Sequence, residues 1–419
     1  MLKFEKFSLD NGLKVIVHED NTTPLVAMNI LYNVGARDED PERTGFAHLF
    51  EHLMFGGSVN IPNYDEPLQL AGGENNAFTN NDITNYYLTI PARQLETAFW
   101  LESDRMLSLA FSKKSLDVQR SVVVEEFKQR YLNQPYGDVW LEMRPLAYQV
   151  HPYRWATIGR EVSHIEEATL EDVKSFFGKW YGPNNAILSL AGNCTMEQVR
   201  ALCEKWFAPI PPIQVPKRNL PIEPDQKEKR VLELKRKVPG SRIYMAFHCM
   251  GRAHPGFYAA DLLSDVLSRG KSARLYQHLV KDHPWFTEIS AFVTGDMDPG
   301  LFVIEGKLTD GVTMEDAERV IREELEKVKS HISERELEKV RHKAEAHLVF
   351  SEVDLANRAL NLGYFELLGD AEECNRQAER YASVTIEEIK EAARRILINE
   401  NCSVLRYLAS AENEKSQEA

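Results

Sequence analysis

The stretch His48-Leu49-Phe50-Glu51-His52 decides how this chain is interpreted. Residues four apart are neighbours on a helix surface, so the imidazoles of His48 and His52 can point at one metal ion. Glu51 lies three residues from His48 and can reach a water on that metal without being a ligand itself. Zinc held by three protein groups lowers the pKa of a bound water to about 7. The order H-x-x-E-H therefore predicts a hydrolytic zinc site with Glu51 as the general base.

The residues around the motif favour this interpretation. Leu49, Phe50 and Leu53 make the remaining faces of the helix apolar. Two imidazoles and a carboxylate inside such a helix cost free energy unless something pairs them. The alternative is a pair of half-buried histidines with a solvated glutamate between them.

A second helical segment offers a third ligand. Val122 and Val123, followed by Phe127, predict a buried helical face, and Glu126 lies on the same side. Glu125 is rotated by about 100° and is expected to face solvent or to support the site indirectly. The alternative is that both glutamates are ordinary charges on the helix surface.

These residues belong to a larger pattern. The chain resembles the pitrilysin family of inverted zinc peptidases, the family of insulin-degrading enzyme and the mitochondrial processing peptidase. The resemblance covers nearly the whole chain. Its motifs are residues 35–37, 45–57, 73–79 with Asp82, Thr84 and Tyr86, and 122–126.

The resemblance implies one Zn²⁺ per chain, bound by His48, His52 and Glu126. Glu126 lies 74 positions beyond His52, and the family's Gln-Arg-x-Val-Val-x-x-Glu pattern selects it over Glu125. Members often carry a second glutamate seven positions before the ligand, where this chain has Gln119. Loss of such a supporting group weakens metal binding, and Gln119 is not included among the ligands.

The resemblance also implies a substrate-binding strand. Asn76, Ala77 and Phe78 look like the family's edge strand, which aligns the substrate backbone by β-augmentation. Asn76 is expected to orient a ligand or the scissile amide. The alternative for Asn76 is a turn residue after the pair at 72–73.

The chain repeats itself with an offset of 216 positions. Three pairs share this offset: Gly35 with Gly251, Thr169 with Thr385, and Asn185 with Asn401. Both threonines begin capping boxes, which mark helix starts. The repeat predicts two homologous domains.

The predicted fold is α+β, with two homologous domains, each a mainly antiparallel sheet covered by helices. The predicted domains are a catalytic zinc-binding domain at 1–208, a proline-rich linker at 209–229, a degenerate non-catalytic domain at 230–410, and a polar tail at 411–419. Strand patterns occur at 13–18, 26–32 and 230–234, and helical periodicity dominates 91–132 and 314–364.

The second half lacks the motif. Positions equivalent to His48, Glu51 and His52 hold a serine, a leucine and a serine, so we expect one metal site per chain. In the family a degenerate half closes against an active one around a chamber built from four such domains. Two chains are therefore expected to pair.

Substrate anchoring departs from the family. Active relatives usually carry an arginine and a tyrosine in the degenerate half, where this chain has Val280 and Thr287. Substrate anchoring then differs here, or a partner chain supplies the pair. Arg274 and Tyr276 are potential substitutes, but their interpretation as a helix-surface residue and a core residue is preferred.

Composition narrows the function and the compartment. The 419 residues contain no run of 18 apolar residues, which argues against a membrane span. The N-terminus shows no hydrophobic signal region. Five scattered cysteines predict reduced thiols and a cytoplasmic location. A net charge of −14 argues against nucleic-acid and anionic-membrane partners.

The leading hypothesis is a zinc metalloendopeptidase that hydrolyses unfolded or short peptides inside a clamshell chamber, most simply as a homodimer. The first alternative is the catalytic subunit of a heterodimer whose partner supplies substrate-binding residues. The second is a non-catalytic assembly or scaffold subunit, which would not need all four site residues. The sequence leaves the physiological substrate and the cleavage preference open.

Overall fold

The computed structural model describes residues 1–410, so the predicted polar tail at 411–419 lies outside the described residues. The strands are β1 (Glu5–Ser8), β2 (Lys14–Glu19), β3 (Leu25–Tyr32), β4 (Glu74–Thr79), β5 (Thr84–Pro91), β6 (Ala186–Gly192), β7 (Arg230–Arg236), β8 (Arg242–His248), β9 (Phe286–Val293), β10 (Leu301–Leu308) and β11 (Cys402–Ala409).

The helices of the first half are α1 (Phe46–Leu53), α2 (Asp65–Leu70), α3 (Leu95–Leu107), α4 (Lys113–Phe127), α5 (Val139–Ala147), α6 (Val162–Glu166), α7 (Leu170–Trp180) and α8 (Met196–Trp206). Those of the second half are α9 (Phe257–Ser268), α10 (Arg274–Tyr276), α11 (Met314–Ser330), α12 (Glu334–Ser351), α13 (Leu355–Leu368), α14 (Glu373–Ser383) and α15 (Ile386–Ile396). π-Helical turns follow α4 at Lys128–Leu132 and α10 at Gln277–Asp282.

The first sheet has the strand order β1-β2-β6-β3-β5-β4. Neighbouring strands run antiparallel except β2 and β6, which are parallel. β3 is central, and its residues from Val26 onward are buried because neighbours cover both of its edges and both of its faces. Among the strands that the structure describes, β4 pairs with β5 alone and forms one edge of the sheet.

The second sheet has the order β7-β11-β8-β10-β9. Its one parallel pair is β7 with β11, and the other pairs are antiparallel. β7 alternates half-buried and exposed side chains, as expected of an edge strand with one solvated face. The prediction of an α+β fold with mainly antiparallel sheets is confirmed.

The sequence repeat is visible in local hydrogen bonds. The side chains of Thr169 and Thr385 each accept the N–H of the residue three positions on, at 3.2 Å. Asn185 and Asn401 each donate from Nδ2 to the carbonyl five residues earlier, at 2.8 and 2.9 Å. Thr169 and Thr385 therefore cap the first turns of two equivalent helices, α7 and α15. Asn185 and Asn401 bind the carbonyls of the last residues of these helices.

The chain forms two compact units that do not follow its linear halves. The first unit contains Met1–Gln129, Trp155–Pro221 and Leu348–Arg376, and the second contains Arg130–Arg154, Ile222–His347 and the residues from Gln377 onward. Residues 130–154 thus belong to the second unit and residues 348–376 to the first. The division predicted from the sequence, at 1–208 and 230–410, did not include this exchange.

Helices α5 and α13 are the exchanged elements. α5 packs on β7, β8 and β11 of the second sheet, whereas α13 packs on β3 and β6 of the first. The two helices begin 216 positions apart, so they are equivalent members of the repeat. Met143 of α5 shares a core with Tyr244 and Leu405, and Leu362 of α13 shares a core with Ile16 and Ile187. Each sheet is therefore covered partly by a helix from the other half of the sequence.

The proline-rich segment at 209–229 has neither helix nor strand, as its prolines predict. It is nevertheless held in place. Asn184 and Ile213 exchange two hydrogen bonds of 2.8 and 2.9 Å, and Arg218 pairs with Asp38 at 2.6 Å. The carboxylate of Glu223 accepts three backbone N–H groups in the second unit. The segment is thus fixed at several points along its length.

Two predictions from composition concern the thiols and membrane spans. All five cysteines are free and buried. In the described part of the chain, none of the helices combines the length and the apolar character that a membrane span requires.

Candidate metal centre

Helix α1 presents the motif on its one open side. Its five apolar residues are buried, whereas His48, Glu51 and His52 are partly exposed. The helix begins at Gly45, whose φ of 88° is strained for any other residue. An added Cβ there would lie 2.6 Å from the carbonyl oxygen of Ile158, so only glycine fits.

Three predicted ligands converge beside α1. The His48 and His52 rings lie edge to face with centroids 4.9 Å apart. The Oε2 of Glu126 lies 3.7 Å from Nε2 of His48 and 3.3 Å from Nε2 of His52. The exposed fractions of the three side chains are 14%, 25% and 17%, so a small ion can reach the site from solvent.

The donor set fits zinc. All three ligand atoms lie within 4.8 Å of one another. Two ligands about 2.0–2.2 Å from a tetrahedral zinc are about 3.3–3.6 Å apart, close to the observed separations. Two imidazoles and one carboxylate leave a fourth position open, which is the arrangement of catalytic rather than structural zinc.

Helix α4 places Glu126 and Glu125 in different surroundings. The Glu125 side chain is 61% exposed and pairs with Lys128 at 3.1 Å. The expectation that Val122 is buried is wrong, because that side chain is 44% exposed. The buried stripe instead contains Val123 and Phe127. Glu126 therefore lies at the border between the buried and the open side of the helix.

Glu51 lies outside the group of potential ligands. Burial raises the pKa of Tyr86 and of Tyr181 well above the usual value, and the charge of Glu51 acts in the same direction on both. Tyr86 donates its hydroxyl to the Phe50 carbonyl at 3.3 Å. Glu51 thus lies within electrostatic reach of two buried phenols. Gln119, at the place of the family's second glutamate, lies beside Gly56 just after α1.

The predicted substrate-binding residues form part of edge strand β4. Asn76, Ala77 and Phe78 pair with successive residues of β5. Asn76 is exposed, and its amide oxygen accepts the Ala77 N–H at 2.8 Å. Asn76 is therefore a strand residue here, and the turn alternative is wrong.

The second unit contains Val280 and Thr287, which stand where active relatives carry an arginine and a tyrosine. Val280 lies in the π-helical turn after α10, and Thr287 in β9 donates to the Lys307 carbonyl at 3.3 Å. Arg274 is held by Glu336 at 2.6 Å and by the His331 carbonyl at 2.7 Å. This contact agrees with a structural role for Arg274.

Sequence reasoning missed Glu39. Its buried carboxylate accepts the Gly45 and Ala47 N–H groups, each at 2.8 Å. Burial raises the pKa of Glu39 to about 8, while the N–H donors of Ala47, Gly45 and Trp155 oppose the rise. The one available signal was a carboxylate seven positions before the first residue of a helix, and such spacing is common on surfaces.

Comparisons with known proteins agree with this geometry. Residues 14–151 match the family model described as Insulinase (Peptidase family M16), and residues 167–344 match Peptidase M16 inactive domain. A curated relative, zinc protease PqqE of Helicobacter pylori, is 29% identical over 358 residues, which cover 83% of this chain and 80% of that protein.

Solved structures show the same fold. A protease from Helicobacter pylori has a TM-score of 0.91 at 25% identity, covering 97% of this chain and 100% of that chain. The periplasmic protease PqqL from Escherichia coli has a TM-score of 0.77 at 19% identity, covering 97% of this chain and 48% of that chain. The chain belongs to the pitrilysin family, peptidase family M16.

Proposed function

We propose that this protein is a zinc metalloendopeptidase that hydrolyses unfolded or short peptides. The observation that carries the proposal is the convergence of His48, His52 and Glu126, whose ligand atoms lie within 4.8 Å of one another on two helices. Relatives named zinc proteases support this kind of activity.

The chain's own groups divide the reaction between them. His48, His52 and Glu126 would hold Zn²⁺, which would polarise the scissile carbonyl and make water more acidic. Glu51 takes the proton of the attacking water and later delivers it to the leaving amine. The site is partly open to solvent, so in this proposal bulk water is excluded only when a chamber closes over it, and closure strengthens these interactions.

The substrate lies along β4 in this proposal. Within residues 1–410 no strand pairs with the outer edge of β4, and an extended peptide can add to it as another strand. Main-chain pairing of this kind reads backbone rather than side chains, so it suits unfolded segments. Asn76 is an exposed residue of this strand, and in this proposal it contacts the substrate amide.

A closed chamber requires two chains in this proposal, most simply a homodimer. PqqL is about twice as long as this chain, because the chain covers 48% of it. Two copies would supply the same number of domains. Free, buried cysteines support a reducing compartment such as the cytoplasm.

A heterodimer is the second candidate. The Val280 side chain has no hydrogen-bond donor and the Thr287 hydroxyl donates to the Lys307 carbonyl, so a partner chain would supply the substrate anchoring of the family's arginine and tyrosine. A scaffold role is less well supported, because it would not need three ligands and Glu51 together.

The proposal is tested by zinc content, molar mass and digestion on the same preparation. We expect one zinc per chain, a dimer by light scattering, and cleavage of an unfolded protein while its folded form is spared. A monomer that cleaves both forms equally would contradict the chamber. A zinc-loaded homodimer without activity on any peptide would favour the heterodimer.

A further inference from the structure

The helix that carries the motif cannot cap its own N-terminus. The first N–H groups of a helix lack partners within the helix, and a serine, threonine or aspartate at the cap usually binds them. The cap position of α1 is Gly45, which has no side chain and cannot be replaced because of its φ of 88°. The donors at this end must therefore be satisfied from elsewhere.

Glu39 satisfies them from a preceding loop. Its Oε2 accepts the Gly45 N–H and its Oε1 accepts the Ala47 N–H, both at 2.8 Å. The indole Nε1 of Trp155 donates to Oε2 at 3.1 Å from a third segment. Glu39 is only 6% exposed, so solvent cannot substitute for these contacts.

The loop that carries Glu39 is itself fixed. Arg37 pairs with Asp82 at 2.9 Å, which joins the loop to the turn between β4 and β5. Asp38 accepts the Gly35 N–H at 3.0 Å and pairs with Arg218 of the proline-rich segment. One short loop therefore contacts α1, the turn between β4 and β5, and the proline-rich segment.

We infer that Glu39 is a positioning residue for the metal centre, a role that rests on the proposed function. The Ala47 N–H that Glu39 binds precedes His48 directly, so the first turn of α1 cannot rotate without breaking that bond. The carboxylate thereby sets the direction from which His48 approaches Glu126. Groups that orient metal ligands typically change metal affinity by about 10–100-fold when lost.

The test compares two carboxylates that accept backbone N–H groups. Glu39→Gln keeps the shape of the side chain but places an amide NH₂ against one of the two N–H donors. Glu223→Gln is the matched control, because Glu223 accepts three N–H groups at 2.8–2.9 Å in the second unit. Zinc affinity is measured by competition with a chelating dye, and folding by thermal melting of metal-free protein.

We expect Glu39→Gln to bind zinc about 10–100-fold more weakly while the metal-free protein still melts cooperatively. Glu223→Gln should keep the parent affinity. Added zinc should restore hydrolysis by Glu39→Gln, which a misfolded protein would not show.

If the parent binds zinc and both Glu39→Gln and Glu223→Gln bind it with the same affinity, the inference about Glu39 is overturned while the proposed function stands. A parent without zinc affinity would overturn the proposed function and, with it, this role. If Glu39→Gln does not fold, Glu39→Asp decides. Its carboxylate is one methylene shorter and cannot reach both N–H groups, so parent-level affinity in that variant would also overturn the inference.

Discussion

Helices α1 and α9 occupy equivalent places in the two halves of one repeat but have different surfaces. α9 holds Ser264, Leu267 and Ser268 where α1 holds the motif. Leu267 is fully buried, and Ser268 donates to the carbonyl of Ala291 in β9 at 2.8 Å. Small and apolar side chains thus let α9 pack directly on the sheet.

The position of the predicted third ligand differs in the same way. Glu126 corresponds to His342, an exposed residue of α12. Within residues 1–410, the group of His48, His52 and Glu126 is the one cluster of potential ligands with this spacing. The comparison teaches that the fold is independent of the site. The second half keeps a comparable sheet and the same helix caps, but within the described residues it has no equivalent of the cluster formed by His48, His52 and Glu126.

The largest expected effect comes from removing the predicted ligand on α4. Glu126→Gln should reduce zinc from about one per chain to a small fraction, because two imidazoles alone hold the ion weakly. Peptide hydrolysis should be lost with it. Metal analysis after gel filtration measures the zinc.

Two controls sharpen this result. Glu125→Gln alters an exposed neighbour on the same helix, and His342→Gln alters the equivalent position in the second half. Both should retain the parent zinc content. Equal zinc in all three variants would contradict the ligand assignment.

The next effect separates binding from chemistry. Glu51→Gln keeps the side-chain shape but cannot accept a proton, so it should retain zinc and peptide affinity while hydrolysis falls by at least ~10²-fold. Steady-state kinetics and metal analysis on one preparation measure both. Loss of zinc, or retention of most of the rate, would exclude Glu51 as the general base.

The sequence predicted correctly the features that depend on residues close together in the chain. The motif required His48 and His52 to share a helix face, and the strand pattern at 26–32 matches β3 at Leu25–Tyr32. The prediction that Val122 is buried was wrong because residues 121–124 are all apolar or small. Such a run does not reveal which side of the helix is covered. Only the packing of α1 against α4 shows this.

Long-range features could not be read from the sequence. An apolar stripe predicts that α5 and α13 are buried, but it does not identify the sheet that buries them. Glu39 likewise acts through a loop whose path depends on Arg37, Asp38 and their distant partners. These features depend on tertiary contacts, which periodicity does not encode.

A core substitution tests the second half. Leu267 occupies the position equivalent to Glu51 and is fully buried. Leu267→Ala should lower the free energy of unfolding by about 2–4 kcal/mol, because it leaves a cavity under α9. Zinc content should not change. Urea unfolding of metal-free protein measures the stability, and Glu51→Gln is the matched control, expected within about 0.5 kcal/mol of the parent. A similar loss of unfolding free energy in Leu267→Ala and Glu51→Gln would contradict the different roles assigned to the two positions.

The smallest effect concerns a buried carboxylate on α9. Burial raises the pKa of Asp265 to about 6, with Asp261 adding to the rise and Arg269 and Lys343 opposing it. The folded protein then holds a proton that the unfolded chain releases. Its stabilising contribution is present below the unfolded pKa, near 3.8, and is lost as pH rises through about 6.

Asp265→Asn removes this titration, since an amide does not ionise. Relative to the parent, the variant should gain about 1–2 kcal/mol between pH 4 and pH 7.5, a change reduced from the full linkage value because Arg269 and solvent screen the charge. Urea unfolding in chelator at both pH values measures the difference without contributions from bound metal. A constant difference between Asp265→Asn and the parent at both pH values would show that the pKa of Asp265 is the same in the folded protein and in the unfolded chain, and that its surroundings on α9 do not penalise the charge.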